Sequence, residues 1–412
     1  MRMTTLLKKL LGIQHLLVTG FALEEGALVI EVRPSWRAPR CSGCKRRRGR
    51  YDTLPPRRWR HLDFGGVRVY VRYGLRRVSC RVCGVVAEAV PWCDCTTARF
   101  TTPFEEAVGF LVQRCDHTSV QEMFRVAWVT VGQIVERVMQ RHRPDDPLDG
   151  LMAIGIDELS YRKGHQYVTT VTDQLSGRIV WAAEGKNAAT LTSFFAELGA
   201  ARCAAIAVVT MDMSEAYITV VTQQVPQAQI VFDRFHVQQL VNAALDETRR
   251  EEWRRLRKVD EQHAKTVKGL RWALLKNPWN LTPTQSQRLS TLQQDNSRLY
   301  RAYLLKETFA GILDRHQPNV VTDRLNAWLS WASRSRLPGF VKVARTIRGH
   351  LSDIVAYIRW GVTNGIVEGL HNKVRVITRR AYGFHSASAL IGMIMLCCTN
   401  IRLRPPQVRL AQ

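Results

Sequence analysis

The chain has 412 residues, 46% hydrophobic and 8% aromatic, with 60 lysines and arginines against 35 aspartates and glutamates, a formal net charge of +25. That content excludes a disordered chain and allows about two to four domains. No apolar run reaches membrane-spanning length and the basic residues are spread over the whole sequence, so the charge points to nucleic acid as partner before an anionic membrane.

The N-terminus, "MRMTTLLKKLLGIQHLLVTG", is broken by Lys8, Lys9, Gln14 and His15 and has no small-residue cleavage site. It reads as part of the mature fold, which implies a cytoplasmic location where cysteines are metal ligands or core residues rather than disulfides. Two hairpin-like runs follow, one alternating around Glu24-Glu25-Gly26 and one around Gly65-Gly66. Between them lies the basic, loop-like "CSGCKRRRGRYDTLPPRRWR". The period turns helical at Thr101: Thr102 is placed as a cap with Pro103 at the first helical position, and Ser119/Glu122 and Thr130/Gln133 carry capping-box spacing. After the linker-like "RPDDPLDG", strand-like runs at 152–156, 167–172 and 178–183 precede a helix at 189–198, a strand at 205–210, a helix near 214–226 and a strand ending at Asp233. That order is α/β with a mixed sheet. From His236 to about Arg348 the chain reads as basic helices.

Cys41/Cys44 and Cys80/Cys83 form two CxxC pairs, each with a glycine beside it. Four thiolates so arranged suit a structural tetrahedral Zn2+, the alternative being unliganded cysteines. Cys93 and Cys95 read as bystanders, and Cys115, Cys203, Cys397 and Cys398 as small core residues. Residues 1–98 are thus expected to form a β-rich zinc-binding module and 99–147 a helix-turn-helix, unless the latter is an ordinary helical hairpin. Gln133 and Arg137 would face base edges, and Lys45, Arg46, Arg47, Arg48 and Arg50 would grip phosphates.

"AIGID" and "AIAVVTMD" are apolar runs that each close on an acid, Asp157 and Asp212. On neighbouring strands these carboxylates would repel unless a cation lay between them, and Mg2+ is the natural one. The alternative is that each caps the turn that follows. In "TNGIVEGLHNKVRVITRRAYGFHS" a helical stripe of Ile366, Leu370, Val374 and Ile377 leaves Glu368, Asn372, Arg375 and Arg379 on another face. Glu368 is there either a third ligand or half of an intrahelical ion pair. Asp233 and His236 in "DRFHV" read either as an accessory pair at the site or as a helix cap with a hydrogen-bonded histidine.

Three blocks carry a resemblance: "IGIDELSYRKGHQYVTTVTD", "DMSEAYITVVTQQVPQAQIVFDRFHV" and "TNGIVEGLHNKVRVITRRAYGFHS", together with the cysteine pairs and "LPPRRWRHLDFGG". The chain resembles insertion-sequence transposases of the ISL3 family over nearly its whole length. The departures are His371, where asparagine is commoner, and Arg375, where lysine is. The resemblance implies an RNase H-like catalytic core in two parts, 148–240 and 349–412, around a helical insertion at 241–348. It implies Asp157, Asp212 and Glu368 as ligands of two Mg2+ ions, with Mn2+ able to substitute, and Asn372, Lys373, Arg375, Arg379 and Arg380 beside DNA. The implied activity is cleavage and strand transfer at terminal inverted repeats and target DNA, by a homodimer or larger assembly associated with the nucleoid. A catalytically silent DNA-binding repressor and an RNase H-like structure-selective nuclease are the rival readings.

Overall fold

The computed structural model describes residues 2–94, 97–143, 146–162, 164, 166–361, 365–384 and 386–405. Cys95, Pro144 and Asp145 of the linker-like stretch, Lys163 and His165 of the first motif block, and Thr363, Asn364 and His385 of the third lie outside them. The chain divides into two compact units, one of residues 1–145, 379–382 and 392–412, the other of 146–378 and 383–391.

In the first unit the opening segment is an amphipathic helix, α1 (Met3–Leu11), which buries Leu7 and Leu11 and stops at Gly12 in the left-handed region. β1 (Leu16–Glu24) and β2 (Ala27–Pro34) form a hairpin across Glu25 and Gly26, both at positive φ, as a tight turn matched to strand twist requires. β3 (Gly49–Thr53), β4 (Arg57–Phe64), β5 (Val67–Tyr73), β6 (Arg76–Cys80) and β7 (Gly84–Ala87) follow. One sheet has the order β1-β2-β5-β4, the other β3-β6-β7. Trp59 and Trp92, both fully buried, meet edge-on at 5.5 Å in the core of the larger one.

α2 (Thr102–Val112), α3 (His117–Phe124) and α4 (Trp128–His142) follow in the same unit. Their starts correct the sequence reading. Thr101, not Thr102, is the cap residue of α2, which puts Pro103 at the second helical position. Asp116 caps α3 through the Ser119 N–H, so Ser119 is inside the helix, and α4 has Ala127 at its cap position and no side-chain cap, with Thr130 inside it. The carboxylate one turn upstream outcompetes the serine because an ionised acceptor makes the stronger bond to a helix N-terminus. Cys115 is half-buried rather than a core residue, whereas Cys93, Cys203, Cys397 and Cys398 are buried.

The second unit holds a five-stranded mixed sheet. β8 (Ala153–Arg162), β9 (Gln166–Asp173) and β10 (Arg178–Glu184) are antiparallel neighbours. After α5 (Ala188–Leu198) and α6 (Ala200–Cys203), β11 (Val208–Met211) pairs parallel to β8. Past α7 (Glu215–Gln224), β12 (Gln229–Phe232) extends the sheet to the order β10-β9-β8-β11-β12. β8 runs five residues beyond Asp157, so this acid is within a strand rather than at its end, level with Thr170 of β9.

Helices follow: α8 (Arg234–Leu256), α9 (Glu261–Gly269), α10 (Arg271–Leu275), α11 (Pro283–Asp295), α12 (Ser297–Leu313), α13 (Pro318–Ser333) and α14 (Pro338–Gly349). They share one apolar core, in which the Phe309 and Trp328 rings lie 4.7 Å apart. α15 (Leu351–Trp360) returns to the sheet, where Gln229 of β12 donates to Asp353 at 3.1 Å. α16 (Gly365–Arg380) and α17 (Ala387–Cys398) end the described structure.

α16 buries Val367, His371, Val374 and Ile377, whereas Ile366 is 41% exposed and Leu370 only half-buried. The expected stripe is therefore rotated in its first two turns, because the helix seats Val367 against the sheet at Gly155. A Cβ on Gly155 would lie 2.8 Å from Val367 Cγ2 and 3.0 Å from Thr210 Oγ1, with Gln174 closer still. Gly155→Ala overpacks this slot and is expected to cost about 1–3 kcal/mol, read as a fall in denaturant midpoint; an unchanged midpoint would show that the helix moves aside freely.

Candidate functional site

Two groups of chemically active side chains stand out, one in each unit. The first begins with local backbone geometry. The Cys41–Cys44 turn is closed by the Lys45 N–H on the Cys41 carbonyl at 3.0 Å, and Lys45 adopts φ 57°. The Cys80–Cys83 turn joins β6 to β7 and is followed by Gly84 at φ 73°. Two knuckles of the same hand thus face each other, and all four Sγ atoms lie within 4.8 Å of one another. Cys44 and Cys80 sulfurs are 3.6 Å apart, close to the roughly 3.8 Å that tetrahedral Zn–S bonds of about 2.3 Å impose. A Cβ on Gly43 would meet the Cys83 sulfur at 2.9 Å, so this glycine makes room for the cluster. Arg48 Nε donates to Cys80 Sγ at 3.3 Å and, with the Cys83 and Val82 N–H groups, draws the Cys80 thiol well below its ordinary range. The Cys41 sulfur, burial and the Cys80 sulfur push the Cys83 thiol up to about 11 instead, the repulsion a cation among four close thiolates would relieve, so the donor set fits structural zinc.

The second group is built by strand register. β11 and β8 pair Thr210 with Gly155, so two residues further on Asp212 comes level with Asp157. β11 and β12 pair Met211 with Phe232, which brings Asp233 level with Asp212. Three aspartates thus stand in a row across adjacent parallel strands, about 4.8 Å per strand. Burial pushes the Asp157 carboxyl up to about 6; the Glu158 N–H on Oδ1 (2.6 Å) and the His236 imidazole oppose this, while Asp212 and Asp233 add to it. Asp212 accepts from the Ser214 N–H (3.1 Å), and Asp233 caps α8 through the Phe235 N–H (3.0 Å) with His236 Nε2 at 3.6 Å.

α16 supplies the rest. Its His371 Nδ1 lies 3.1 Å from Asp157 Oδ2, and burial, with Arg375 and His236 nearby, pushes the imidazole down to about 4. The contact is thus one between a neutral imidazole and the carboxyl rather than an ion pair. Glu368 is exposed and forms no hydrogen bond or ion pair with a described residue. Among the described residues the four cysteines are the one group of three or more Asp, Glu, His or Cys residues whose ligand atoms close within 4.8 Å. Asp157, Asp212 and Glu368 do not.

The expected DNA contacts divide in two. Lys45, Arg46, Arg47, Arg50, Gln133, Asn372, Lys373, Arg375 and Arg379 are exposed. Three others are engaged: Arg48 with Cys80, Arg137 with the buried Glu105 at 2.7 Å, and Arg380 with the Val112 and Gln113 carbonyls that end α2. Sequence reasoning missed Arg48 as a sulfur partner and His371 as the partner of Asp157. The signal for His371 was its place four residues after Val367 and three before Val374, on one helical face.

Residues 154–394 match the family model DDE_Tnp_ISL3, described as "Transposase", and residues 37–83 match the "zinc-finger of transposase IS204/IS1001/IS1096/IS1165". The chain is 39% identical to the transposase for insertion sequence element IS1557 of Mycobacterium tuberculosis, over 98% of this chain and 97% of that protein. It is 29% identical to the transposase for insertion sequence element IS1001 of Bordetella parapertussis, over 87% and 88%. No described helix is long and apolar enough to cross a membrane.

Two expected outcomes follow from this geometry. Cys80→Ser lowers bound zinc from about one ion per chain towards none, measured by atomic emission on chelator-washed protein; full retention would remove Cys80 from the ligand set. Asp157 titrates at about 6 when folded against roughly 3.9 in an unfolded chain. The stability it contributes is therefore complete below pH about 4 and lost as pH rises through about 6. In chelating buffer Asp157→Asn should gain nothing near pH 4 and of order 2–3 kcal/mol above pH about 7, and a gain independent of pH would rule out burial of the charge as its cause.

Proposed function

Because the chain belongs to the ISL3 family of transposases, we propose that it cuts DNA at the terminal inverted repeats of an insertion sequence and joins the freed ends to target DNA. In this reading the second unit is an RNase H-like core with Asp157, Asp212 and Glu368 as catalytic carboxylates and α8 to α14 as an insertion. The observation that carries it is the register that sets Asp157, Asp212 and Asp233 side by side on β8, β11 and β12.

The oxygen donors and their unbalanced negative charge fit a hard divalent cation, with two Mg2+ ions, or Mn2+ in their place, held by the carboxylate triad. Such ions supply activation of water and stabilisation of the leaving 3′ oxygen. The chain's own residues do the rest. Asp157 must be ionised to act as a ligand, and Asp233 and His236 extend the polar row at the strand ends. Asn372, Lys373, Arg375 and Arg379, on the exposed side of α16, are placed to receive the DNA backbone on the helix that bears Glu368.

In the first unit we read α3 and α4 as a helix-turn-helix, with Gln133 exposed in the first turns of α4, where a recognition helix meets base edges. Lys45, Arg46, Arg47 and Arg50 on the zinc ribbon add phosphate contacts. Arg48, Arg137 and Arg380 serve the fold instead. Synapsis of two element ends calls for a homodimer or larger assembly on DNA, a cytoplasmic species gathered on the nucleoid.

That the three carboxylates do not close to within 4.8 Å of one another favours, as a second reading, a chain that binds element ends without cutting them. Incubating wild type and the Asp157→Ala, Asp212→Ala and Glu368→Ala variants with Mg2+ and an element-end fragment decides between them. Each variant should bind the fragment as wild type does while nicking and joining fall about 10³-fold or more. Wild type that binds paired ends yet never cuts would establish the silent reading, and cutting without joining a nuclease.

A further inference from the structure

α16 meets the sheet at two points one turn apart. Val367 fills the space left by Gly155, and His371 Nδ1 reaches Asp157 Oδ2 at 3.1 Å. The other Asp157 oxygen accepts the Glu158 N–H at 2.6 Å, so the protein meets both oxygens of one carboxylate. His371 is 6% exposed and its Nε2 has no hydrogen-bond partner. An unmet buried nitrogen is costly, and the ring is nevertheless turned so that Nδ1, not Nε2, faces Asp157.

We propose that His371 is a positioning residue: its Nδ1–H holds the Asp157 carboxylate and, through the helix, sets where Glu368 stands relative to Asp157. Glu368 directly follows Val367 and is three residues before His371. At about 100° per residue, fixing 367 and 371 against β8 fixes the rotation and height at which 368 projects. The metal-binding part of this proposal rests on the catalytic reading above. The His371–Asp157 bond itself does not.

Two measurements on the full chain separate those parts. In ¹⁵N-histidine spectra of metal-free protein, His371 should be the Nδ1–H tautomer, and Asp157→Ala should abolish that state. An Nε2–H tautomer unaffected by Asp157→Ala overturns the proposal. Mn2+ binding, taken by calorimetry as the heat lost in Asp157→Ala, should weaken about 10-fold or more in His371→Leu with DNA-end affinity unchanged. His371→Asn, whose amide nitrogen falls near the place of Nδ1, should restore it to within about 3-fold. Leu binding Mn2+ as wild type does, or Asn as impaired as Leu, overturns the positioning role. Should Leu fail to fold, His371→Gln, which reaches the place of Nε2 and not Nδ1, is expected to behave as the defective variant. An Nδ1–H tautomer lost in Asp157→Ala, in a wild type with no Asp157-dependent Mn2+ binding, would uphold the bond and sink the catalytic reading alone.

Discussion

The parallel register of β8, β11 and β12 is the constraint on which the second unit turns. Like charges set level on neighbouring strands repel at short range, and hydrogen bonds along the whole ladder prevent any one of them from sliding away. Val208, Val209 and Thr210 of β11, fully buried, lock that register by their side chains. The sheet is therefore stable in spite of its acids. Glu158, next to Asp157 and alternating to the other face, is served separately by Tyr217, whose hydroxyl also bonds Thr169 at 2.8 Å.

Where the sequence was legible, a strong local signal had no competitor. Alternation around Glu25-Gly26 and Gly65-Gly66 marked both hairpins, and apolar runs ending in acids marked β8 and β11, because strand burial and turn chemistry are short-range. The paired CxxC spacing marked the cysteine cluster for the same reason. What stayed hidden depended on partners distant in sequence. Ser119 and Thr130 carried the spacing of caps, but Asp116 took one role and nothing took the other. Ile366 and Leu370 are as apolar as Val367, and only the notch at Gly155 decides which of them is buried. Glu368 shows the same limit from the other side: its place on the polar face of α16 was readable, whether it closes a cluster with the aspartates was not.

The basic surplus is also less uniform than composition implies. Glu105, 1% exposed, takes both Arg137 and Arg141, and Glu252, equally buried, takes Arg255 and Arg298. Removing Glu105 would take from Arg137 and Arg141 an acid through which α4 is held to α2. The Glu105 pairs withdraw Arg137 and Arg141 from the surface available to a polyanion. The exposed remainder includes the run on the cysteine knuckle and the outer side of α16, and continues over α8, α9, α13 and α14, where Arg254, Lys265, Arg324 and Arg345 are exposed.

The cysteine cluster has a topological consequence as well. Between Cys44 and Cys80 the chain leaves the three-stranded sheet, contributes β4 and β5 to the four-stranded one, and comes back, with the Leu54 N–H bonded to the Leu75 carbonyl where the outgoing and returning strands pass. A metal across the cysteines closes this excursion into a ring 36 residues around, and a covalent link of that span would withdraw about 4 kcal/mol of chain entropy from the unfolded state. The ribbon therefore acts as a clasp rather than a bead on a string. The strands that leave for the tryptophan-lined sheet and return from it, β3 and β6, are thereby held side by side at the cysteine end.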